Sequence, residues 1–309
     1  MIYTITLNPA LDRTLWVEKI ETGDSNRIER EERYAGGKGI DVSRVLTTFG
    51  IDNKALGFVG GFTGAELEGR MLNEGIQCDF TRISGETRTN VIINDMSTGS
   101  QTLFNGKGPV IEPYELEKII RKIEELENPE IVVISGSLPP GVHPEIYRKT
   151  IEIVKRKGTM SVLLDTDGDA LKVGIQGFPS VIKPNLRELG RLVNSELKEM
   201  RDILVTARRI HEQGVAIVLV SMGAQGILLV EEKHCYLAAP PSVKVVNTIG
   251  AGDSAVAGFV YGLVRGETPR QALVYAVAAG TATTLRPGSA LCVKDDFLAL
   301  VPRVEVHEM

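Results

Sequence analysis

One short stretch of the sequence, NTIGAGDSAVAG at 247–258, combines a glycine turn with an acidic side chain where a helix begins. Glycines let the backbone approach an anion closely, and the free N–H groups of a helix N-terminus favour phosphate. Asp253 lies inside this turn and can take a proton from an attacking hydroxyl. Two alternatives are a dinucleotide cradle of the G-x-G-x-x-A type and an ordinary helix cap.

The dinucleotide alternative fits the surrounding sequence poorly. It needs an acidic residue about 20 positions further on, after another strand, whereas Glu267 lies between two predicted helices at about 251–265 and 269–284. A Walker A loop is also missing, because GGKG at 36–39 has its lysine at the wrong spacing. Two interpretations of the turn stay equally open at this point: an ordinary helix cap at Asp253, or phosphoryl transfer, with the charge stabilised by the N–H groups of Gly250, Ala251 and Gly252 and with Asp253 as the base.

The elements that must hold this turn alternate between strands and helices over most of the chain. Apolar, β-branched runs such as EIVVIS (130–135), MSVLLD (160–165) and AIVLVS (216–221) are separated by amphipathic helices. This alternation predicts a parallel sheet covered on both faces, an α/β fold in three α/β/α layers, within a single domain over 1–309. A further strand is predicted over SVKVVN at 242–247, directly before the glycine turn.

Two segments, at about 13–34 and 87–108, do not follow this alternation. The second contains TRTNVIIND and SQTLFN, which the turn sequence MSTG separates as in a β-hairpin. We expect these segments to form a small separate sheet, a β-sheet lid. The alternative is that they extend the main sheet.

Composition restricts the classes of function. The 309 residues include 35 basic and 40 acidic ones, for a net charge of −5, which argues against bulk binding to nucleic acid or an anionic membrane. No apolar run is long enough to span a bilayer, and the first residues are typical of a strand rather than a signal peptide. Three widely spaced cysteines predict a reduced, cytoplasmic protein.

Six motifs in order resemble the PfkB, or ribokinase-like, family of carbohydrate kinases. They are TLNPALD (6–12), GGKGIDVSRVL (36–46), SGSLPPGV (135–142), KPNLREL (183–189), SMGAQG (221–226) and NTIGAGD (247–253). The resemblance implies a ribokinase-like fold and phosphorylation of a sugar hydroxyl by ATP with Mg²⁺. It also implies a homodimer that pairs through the lid, and it leaves a requirement for K⁺ open.

The motifs disagree about the branch of the family. TLNPALD with SGSLPPGV resembles the phosphofructokinase and tagatose-6-phosphate kinase branch, which takes sugar phosphates. The tail LRPGSALCVKDD (285–296) is similar to a bacterial 6-phosphofructokinase, whereas GGKGI is more similar to 1-phosphofructokinase. We favour fructose 6-phosphate as the acceptor; the alternatives are 1-phosphofructokinase and tagatose-6-phosphate kinase, and more distantly a non-catalytic binder of sugar or nucleotide.

The resemblance also implies contacts for individual residues, each with a structural alternative such as a loop charge, a turn or a helix cap. The sugar and its phosphate are expected to contact Asp12, Arg27, Gly37, Lys38, Gly39, Asp41, Arg88, Asn90 and Ser137. The nucleotide is expected to contact Lys183, Asn185, Ser221, Gly223, Gly226, Asn247, Ala279 and Gly280. Mg²⁺ is expected near Asn185 and Glu188.

Two positions depart from the family pattern. Asp41 stands where the family usually has asparagine, and an ionised aspartate accepts hydrogen bonds but cannot donate them. It would also repel a nearby phosphate. Leu103 stands where phosphofructokinases of this branch can carry a second basic residue, and Lys107 is a candidate replacement.

Overall fold

The computed structural model describes residues 1–309, and its elements follow the alternation predicted from the sequence. The strands are β1 (Ile2–Thr6), β2 (Ala10–Val17), β3 (Arg30–Gly36), β4 (Asn53–Val59), β5 (Gln77–Cys78), β6 (Thr81–Arg82), β7 (Arg88–Asp95), β8 (Ser100–Phe104), β9 (Ile131–Ser135), β10 (Ser161–Asp165), β11 (Val181–Ile182), β12 (Ile217–Ser221), β13 (Ile227–Val230), β14 (Cys235–Ala239) and β15 (Glu305–Glu308). The α-helices are α1 (Lys38–Thr48), α2 (Gly61–Asn73), α3 (Pro113–Glu124), α4 (Glu145–Arg156), α5 (Gly168–Ile175), α6 (Leu186–Val193), α7 (Met200–Glu212), α8 (Ala251–Val264), α9 (Pro269–Thr283) and α10 (Lys294–Leu300).

The main sheet has its strands in the order β15-β14-β13-β12-β11-β10-β9-β1-β4-β5, and β6 also pairs with β4. The strands from β12 to β4 pair in parallel, whereas β13, β14 and β15 form an antiparallel edge. The carboxyl ends of the parallel strands therefore meet along one edge of the sheet. In open α/β sheets this edge is where ligands bind.

Helices cover both faces of the main sheet. Val132 and Ile134 of β9 pack on one face in a core shared with α3, α4, α5 and α7. Ile131 and Val133 of the same strand point the other way, into a core shared with α1, α8, α9 and α10. Alternate residues of a strand face opposite sides, so these two cores confirm the predicted three-layer sandwich. No helix combines the length and apolar character needed to cross a membrane.

A second sheet of four strands, which we call the lid sheet, has the order β3-β2-β7-β8. β2 and β7 pair in parallel, and the other two pairs are antiparallel. The lid sheet is separate from the main sheet, as expected. The first strand begins at Ala10 and the second runs to Gly36, so both reach further toward the main sheet than the predicted segment 13–34.

The predicted strand over SVKVVN is wrong. Residues 242–247 have no regular secondary structure, and Val245 and Val246 are each 56% exposed. The preceding strand, β14, is already paired by β13 on one side and by β15 on the other. An apolar, β-branched segment without a free strand partner cannot join a sheet. Instead, the N–H of Val246 donates to the carbonyl of Thr284 at 2.8 Å.

Helices α8 and α9 approach each other closely enough for their backbones to touch. A Cβ atom on Gly258 would collide with the carbonyl oxygen of Tyr275, and one on Gly262 would lie 2.6 Å from the Cα of Ala272. Only glycine fits at these crossings. The contact fixes the direction of α8, whose first turn is the glycine turn described above.

Replacing Gly258 by alanine should therefore destabilise the fold. We expect Gly258→Ala to lower the free energy of unfolding by about 1–3 kcal/mol, the usual cost of overpacking a core. Gly69→Ala is the matched control, because Gly69 also lies within a helix but has open space around a Cβ; it should raise stability by about 0.5–1 kcal/mol. Urea denaturation measures both, and equal stability of the two variants would contradict the close crossing.

Candidate active site

The glycine turn forms the start of α8. Gly250 is its N-cap, with φ 74° in the left-handed region, and no side chain caps the helix. A Cβ on Gly250 would also lie 2.5 Å from Leu291 Cδ2. The N–H groups of Gly250 and Gly252 have no hydrogen-bond partner in the chain, whereas that of Ala251 donates to Thr248 at 3.3 Å. This turn thus offers free donors and the positive end of the helix dipole to an anion.

Asp253, the third residue of α8, lies beside these donors. Burial raises the pKa of Asp253 to about 7, and the nearby carboxylates of Asp165 and Glu188 also raise it, while Lys38 and Lys183 lower it. A carboxyl group that titrates near neutrality can both accept and release a proton at working pH. This is the property required of a general base.

Asp165 lies at the centre of a buried charge cluster. Its carboxylate accepts from Lys38 Nζ at 2.9 Å and lies 3.3 Å from Lys183 Nζ. Lys38 Nζ also donates to Glu188 Oε1 at 3.3 Å. Burial alone would raise the pKa of Asp165, but the two ammonium groups hold it below its ordinary value. Burial would lower the pKa of Lys38, but Asp165 and Glu188 raise it. The pair Asp165–Lys38 therefore stays charged at neutral pH.

Sequence reasoning missed Asp165. The available signal was its place as the last residue of MSVLLD, a buried strand that ends at the carboxyl edge of the sheet. The next acidic residue, Asp167, has a different function: it caps α5, accepting from the N–H of Gly168 at 2.7 Å.

Asp12 is a nearly buried carboxylate on β2 of the lid sheet. Asp12 is only 9% exposed and lies opposite Asn90 in the β2–β7 pair, where Asn90 Nδ2 donates to its Oδ1 at 2.8 Å. Burial raises the pKa of Asp12, against the opposing effects of Asn90 and Arg88. A Cβ on Gly36 would collide with the carboxylate. The first glycine of the GGKG motif, Gly36, is thus needed for Asp12 to fit.

Helix α1 begins with the GGKG motif and carries Asp41 in its first turn. Gly37 is the N-cap, and a Cβ on Gly39 would lie 2.8 Å from Ser135 Oγ. Asp41 accepts from Arg44 Nη1 at 3.3 Å. Burial raises the pKa of Asp41 well above its ordinary value, and Asp253 and Asp12 add to this effect while Arg44 opposes it. The protonated form, which this favours, can donate a hydrogen bond as the usual asparagine does.

A cavity of about 780 Å³ opens between the lid sheet and the carboxyl edge of the main sheet, and its lining includes Arg88, Lys107 and Ser137. Arg88 donates to the carbonyls of Asn8 and Gly106 at 2.7–3.1 Å. A guanidinium has five N–H donors, so two remain for a ligand. Ser137 is exposed, and its Oγ accepts from Asn8 Nδ2 at 3.2 Å.

Helix α6, whose Glu188 also contacts Lys38, begins with a reciprocal cap. Asn185 Oδ1 accepts from the N–H of Glu188 at 2.9 Å, and Glu188 Oε2 accepts from the N–H of Asn185 at 2.9 Å. Asn185 also forms a parallel bridge to Ser221 at the end of β12. The short 3₁₀ turn Gly223–Gln225 follows, and Gly226 packs so tightly on Ala238 that a Cβ would collide with its carbonyl.

Two expected contact residues are not brought to the site. Arg27 is exposed in the segment that joins β2 to β3 and makes no hydrogen bond or ion pair within the chain. Ala279 is fully buried between α9 and α8, so it offers no surface to a nucleotide. Its neighbour Gly280 is partly accessible and lies against the first turn of α8.

Asn247 stabilises the glycine turn itself. Its side-chain oxygen accepts from the N–H groups of Thr248 and Ile249.

Comparison with known proteins identifies the class to which this fold and site belong. The model of the pfkB family of carbohydrate kinases matches residues 5–296. The 1-phosphofructokinase of Bacillus subtilis strain 168 is 36% identical over 309 residues, covering 100% of both chains. The tagatose-6-phosphate kinase of Staphylococcus epidermidis strain RP62A is 33% identical over 313 residues, again covering 100% of both. The potassium complex of Escherichia coli phosphofructokinase-2 superposes with a TM-score of 0.94 at 33% identity, over 98% of each chain.

The chain therefore belongs to the pfkB family of carbohydrate kinases. It is a phosphotransferase, and the resemblance drawn from the six sequence motifs is confirmed. The ribokinase-like arrangement of a large helix-flanked sheet is confirmed as well.

The raised pKa of Asp253 predicts a pH-dependent cost to stability. A carboxyl whose pKa is near 7 in the folded state and about 3.9 when unfolded binds its proton more tightly when folded. Its contribution to stability is therefore present at pH 4 and is lost as the pH rises through 7. Asp253→Asn removes this penalty, so the variant should gain in melting temperature over the wild type at pH 8 and lose that gain at pH 5.

Asp202→Asn is the matched control for this measurement. Asp202 occupies the same third position in α7 but is exposed. The control should show no comparable gain at pH 8. If Asp253→Asn followed the wild type at both pH values, the buried environment described for Asp253 would be wrong.

Proposed function

We propose that the chain is a 1-phosphofructokinase, which transfers the terminal phosphoryl group of ATP to the C6 hydroxyl of fructose 1-phosphate. The observation that carries the proposal is the position of Asp253 at an uncapped helix N-terminus beside Lys38 and Lys183. The choice of sugar rests on relatives named 1-phosphofructokinase, in B. subtilis at 36% identity and in E. coli at 34%, over nearly the whole of both chains.

These relatives support the 1-phosphofructokinase alternative better than the preference for fructose 6-phosphate. The curated full-length relatives are named for 1-phosphofructokinase and tagatose-6-phosphate kinase. Similarity to E. coli phosphofructokinase-2 in fold does not separate the sugars, because its identity of 33% is no higher. Tagatose 6-phosphate is the second candidate acceptor, supported by the S. epidermidis relative at 33% identity.

In the proposed reaction, Asp253 takes the proton of the attacking sugar hydroxyl. The free N–H groups of Gly250 and Gly252, together with Ala251, face the negative charge that develops on the phosphoryl group. Lys183 lies on the same side, since a Cβ on Gly252 would be 3.5 Å from its Nζ. Fixed donors of this kind stabilise the transition state without reorganising during the reaction.

The sugar phosphate would lie between the lid sheet and α1. The two free donors of Arg88, the hydroxyl of Ser137 and the ammonium of Lys107 suit the phosphate that the substrate already carries. Asp12 and Asp41 suit the ring hydroxyls, and Asn90 holds Asp12 in place. Arg27 is exposed and lies outside the cavity lining, so its contact with the sugar stays a prediction.

The nucleotide would extend from Lys183 along the turn that contains Ser221, Gly223 and Gly226, toward Gly280. Glu188 fits Mg²⁺ held through water, because Mg²⁺ binds oxygen and keeps several waters. No cluster of three acidic, histidine or cysteine side chains exists that could bind the metal directly. Asn185 Oδ1 and Glu188 Oε2 both accept hydrogen bonds in the helix cap, so we propose that each contacts Mg²⁺ only through water. When bound, Mg²⁺ neutralises phosphate charge.

We also propose that two copies of the chain pair through their lid sheets. β8 is an unpaired edge of the lid sheet and exposes Leu103 and Phe104, at 47% and 57%. An exposed apolar edge strand favours pairing with another chain. Light scattering of the purified protein tests this, and a monomeric mass would contradict it.

The first experiment compares acceptors and the proposed base together. ADP release should show the highest kcat/KM with fructose 1-phosphate, ahead of tagatose 6-phosphate, fructose 6-phosphate and free fructose. Asp253→Asn should keep the fold and lower kcat by roughly 10²–10⁴-fold, the range for loss of a general base. Asp202→Asn is again the control and should turn over normally. Near-normal turnover by Asp253→Asn would remove the base assignment.

The phosphate role of Arg88 predicts a selective loss of affinity. Arg88→Ala should raise KM for fructose 1-phosphate roughly 10- to 100-fold, since hydrogen bonds to charged groups contribute more than neutral ones, and leave KM for free fructose unchanged. Arg88→Lys should recover only part of the loss, because lysine lacks the planar fork. Arg13→Ala, which removes a lid arginine bonded to Glu31 outside the cavity, is the control. Equal changes for both sugars would contradict the assignment.

A further inference from the structure

The loop that follows α9 touches the lid sheet through a buried polar contact. Thr14 Oγ1 of β2 and Ser289 Oγ are 3.3 Å apart, and the two residues are 0% and 4% exposed. The neighbouring Gly288 packs under the same strand, since a Cβ there would lie 3.3 Å from Thr14 Cγ2 and 3.4 Å from the ring of Trp16. The proposed reaction does not use any of these side chains.

The same loop also holds the glycine turn at the start of α8. Asn247 Nδ2 donates to the carbonyl of Gly288, while Asn247 Oδ1 accepts from the N–H groups of Thr248 and Ile249 at 2.7 and 3.1 Å. Leu291 packs against Gly250. A continuous set of contacts therefore runs from the lid strand through Gly288 to the turn that carries the free N–H groups.

Strand β2 connects the proposed sugar site to these contacts. Thr14 and Asp12 are two residues apart on one strand, so their side chains lie on the same face. A sugar that contacts Asp12 would therefore also set the position of Thr14. At 3.3 Å the Thr14–Ser289 contact is longer than the usual 2.7–2.8 Å of a hydroxyl–hydroxyl bond. We expect the Thr14–Ser289 distance to shorten when the lid sheet closes over a substrate.

We propose that Ser289 is a positioning residue, which acts through Thr14 and Gly288 so that the seating of the lid sheet sets the geometry of the N–H groups of the glycine turn. This inference rests on the proposed function of that turn in phosphoryl transfer. It links the sugar-binding half of the cleft to the phosphoryl-binding half by contacts between residues far apart in sequence.

The kinetic test separates positioning from binding. Ser289→Ala should lower kcat about three- to tenfold, the equivalent of one net hydrogen bond, with KM for both substrates within about twofold. Thr14→Val should do the same, and the double variant should be no worse than either single one, because both remove one contact. Thr98→Val is the control; its hydroxyl pairs with Ser100 at the far tip of the lid hairpin, and kcat should not change.

A side-chain exchange distinguishes positioning from a general packing defect. Thr14→Ser combined with Ser289→Thr keeps both hydroxyls and the total volume, and it should restore kcat. An unchanged kcat in Ser289→Ala would overturn the inference. A loss of kcat that the exchange does not restore, accompanied by a matching fall in melting temperature, would also overturn it, because the contact would then be only structural.

Trp16 provides a test that does not depend on turnover. It is the only tryptophan in the chain, and its ring lies against Gly288. Addition of a non-hydrolysable ATP analogue with Mg²⁺, without sugar, should change Trp16 emission in the wild type and change it less in Ser289→Ala. No response in the wild type, or an equal response in both proteins, would overturn the inference. If the wild type phosphorylated no sugar phosphate, the proposed function would fail, and this emission test would still decide the coupling by itself.

Discussion

The arrangement of the site depends on one buried carboxylate, Asp165, held between two ammonium groups. Lys38, from the start of α1, is 32% exposed, whereas Lys183, from the end of β11, is 4% exposed and could not be buried without a counter-charge. Removing one partner would leave an uncompensated buried charge, which usually costs more than the pair contributes. The cluster therefore fixes the relative positions of α1, β10 and β11. It also sets the electrostatic environment in which Asp253 titrates near neutrality.

The two sheets contribute different kinds of charged group to the cleft. The main sheet and its helix N-termini supply positive potential, through lysines and uncapped N–H groups, where phosphoryl groups would bind. The lid sheet and the first turn of α1 supply Asp12 and Asp41, whose pKa values burial raises. Burial shifts both carboxyl groups toward the neutral form, which repels a phosphate less than an ionised carboxylate does. The electrostatics of this half of the cleft therefore depend on burial as well as on residue type.

Sequence reasoning succeeded where a property is local and failed where it depends on which partner is nearby. The alternation of β-branched runs and amphipathic helices predicted the three layers, because side-chain period follows from local backbone geometry. SVKVVN has the same β-branched character but forms no strand, since β13 and β15 already occupy both sides of β14. Arg27 and Ala279 matched the family order but lie away from the cleft, one in an exposed connection and the other inside the α8–α9 contact. Burial of this kind is set by packing that a motif does not contain.

The sequence by itself determined the class of chemistry: a glycine turn with an internal aspartate at a helix start, the order of six motifs and a separate pair of lid segments. These are properties of short segments, and backbone sterics and helix-end electrostatics act within a few residues. The tertiary structure decided which charges meet. Lys38 and Asp165 are 127 residues apart in sequence, and Thr14 and Ser289 are 275 apart. Such pairs form only because the sheet order and the packing of the lid bring their strands and loops together. Local backbone preferences act over a few residues and cannot specify contacts between residues so far apart in sequence.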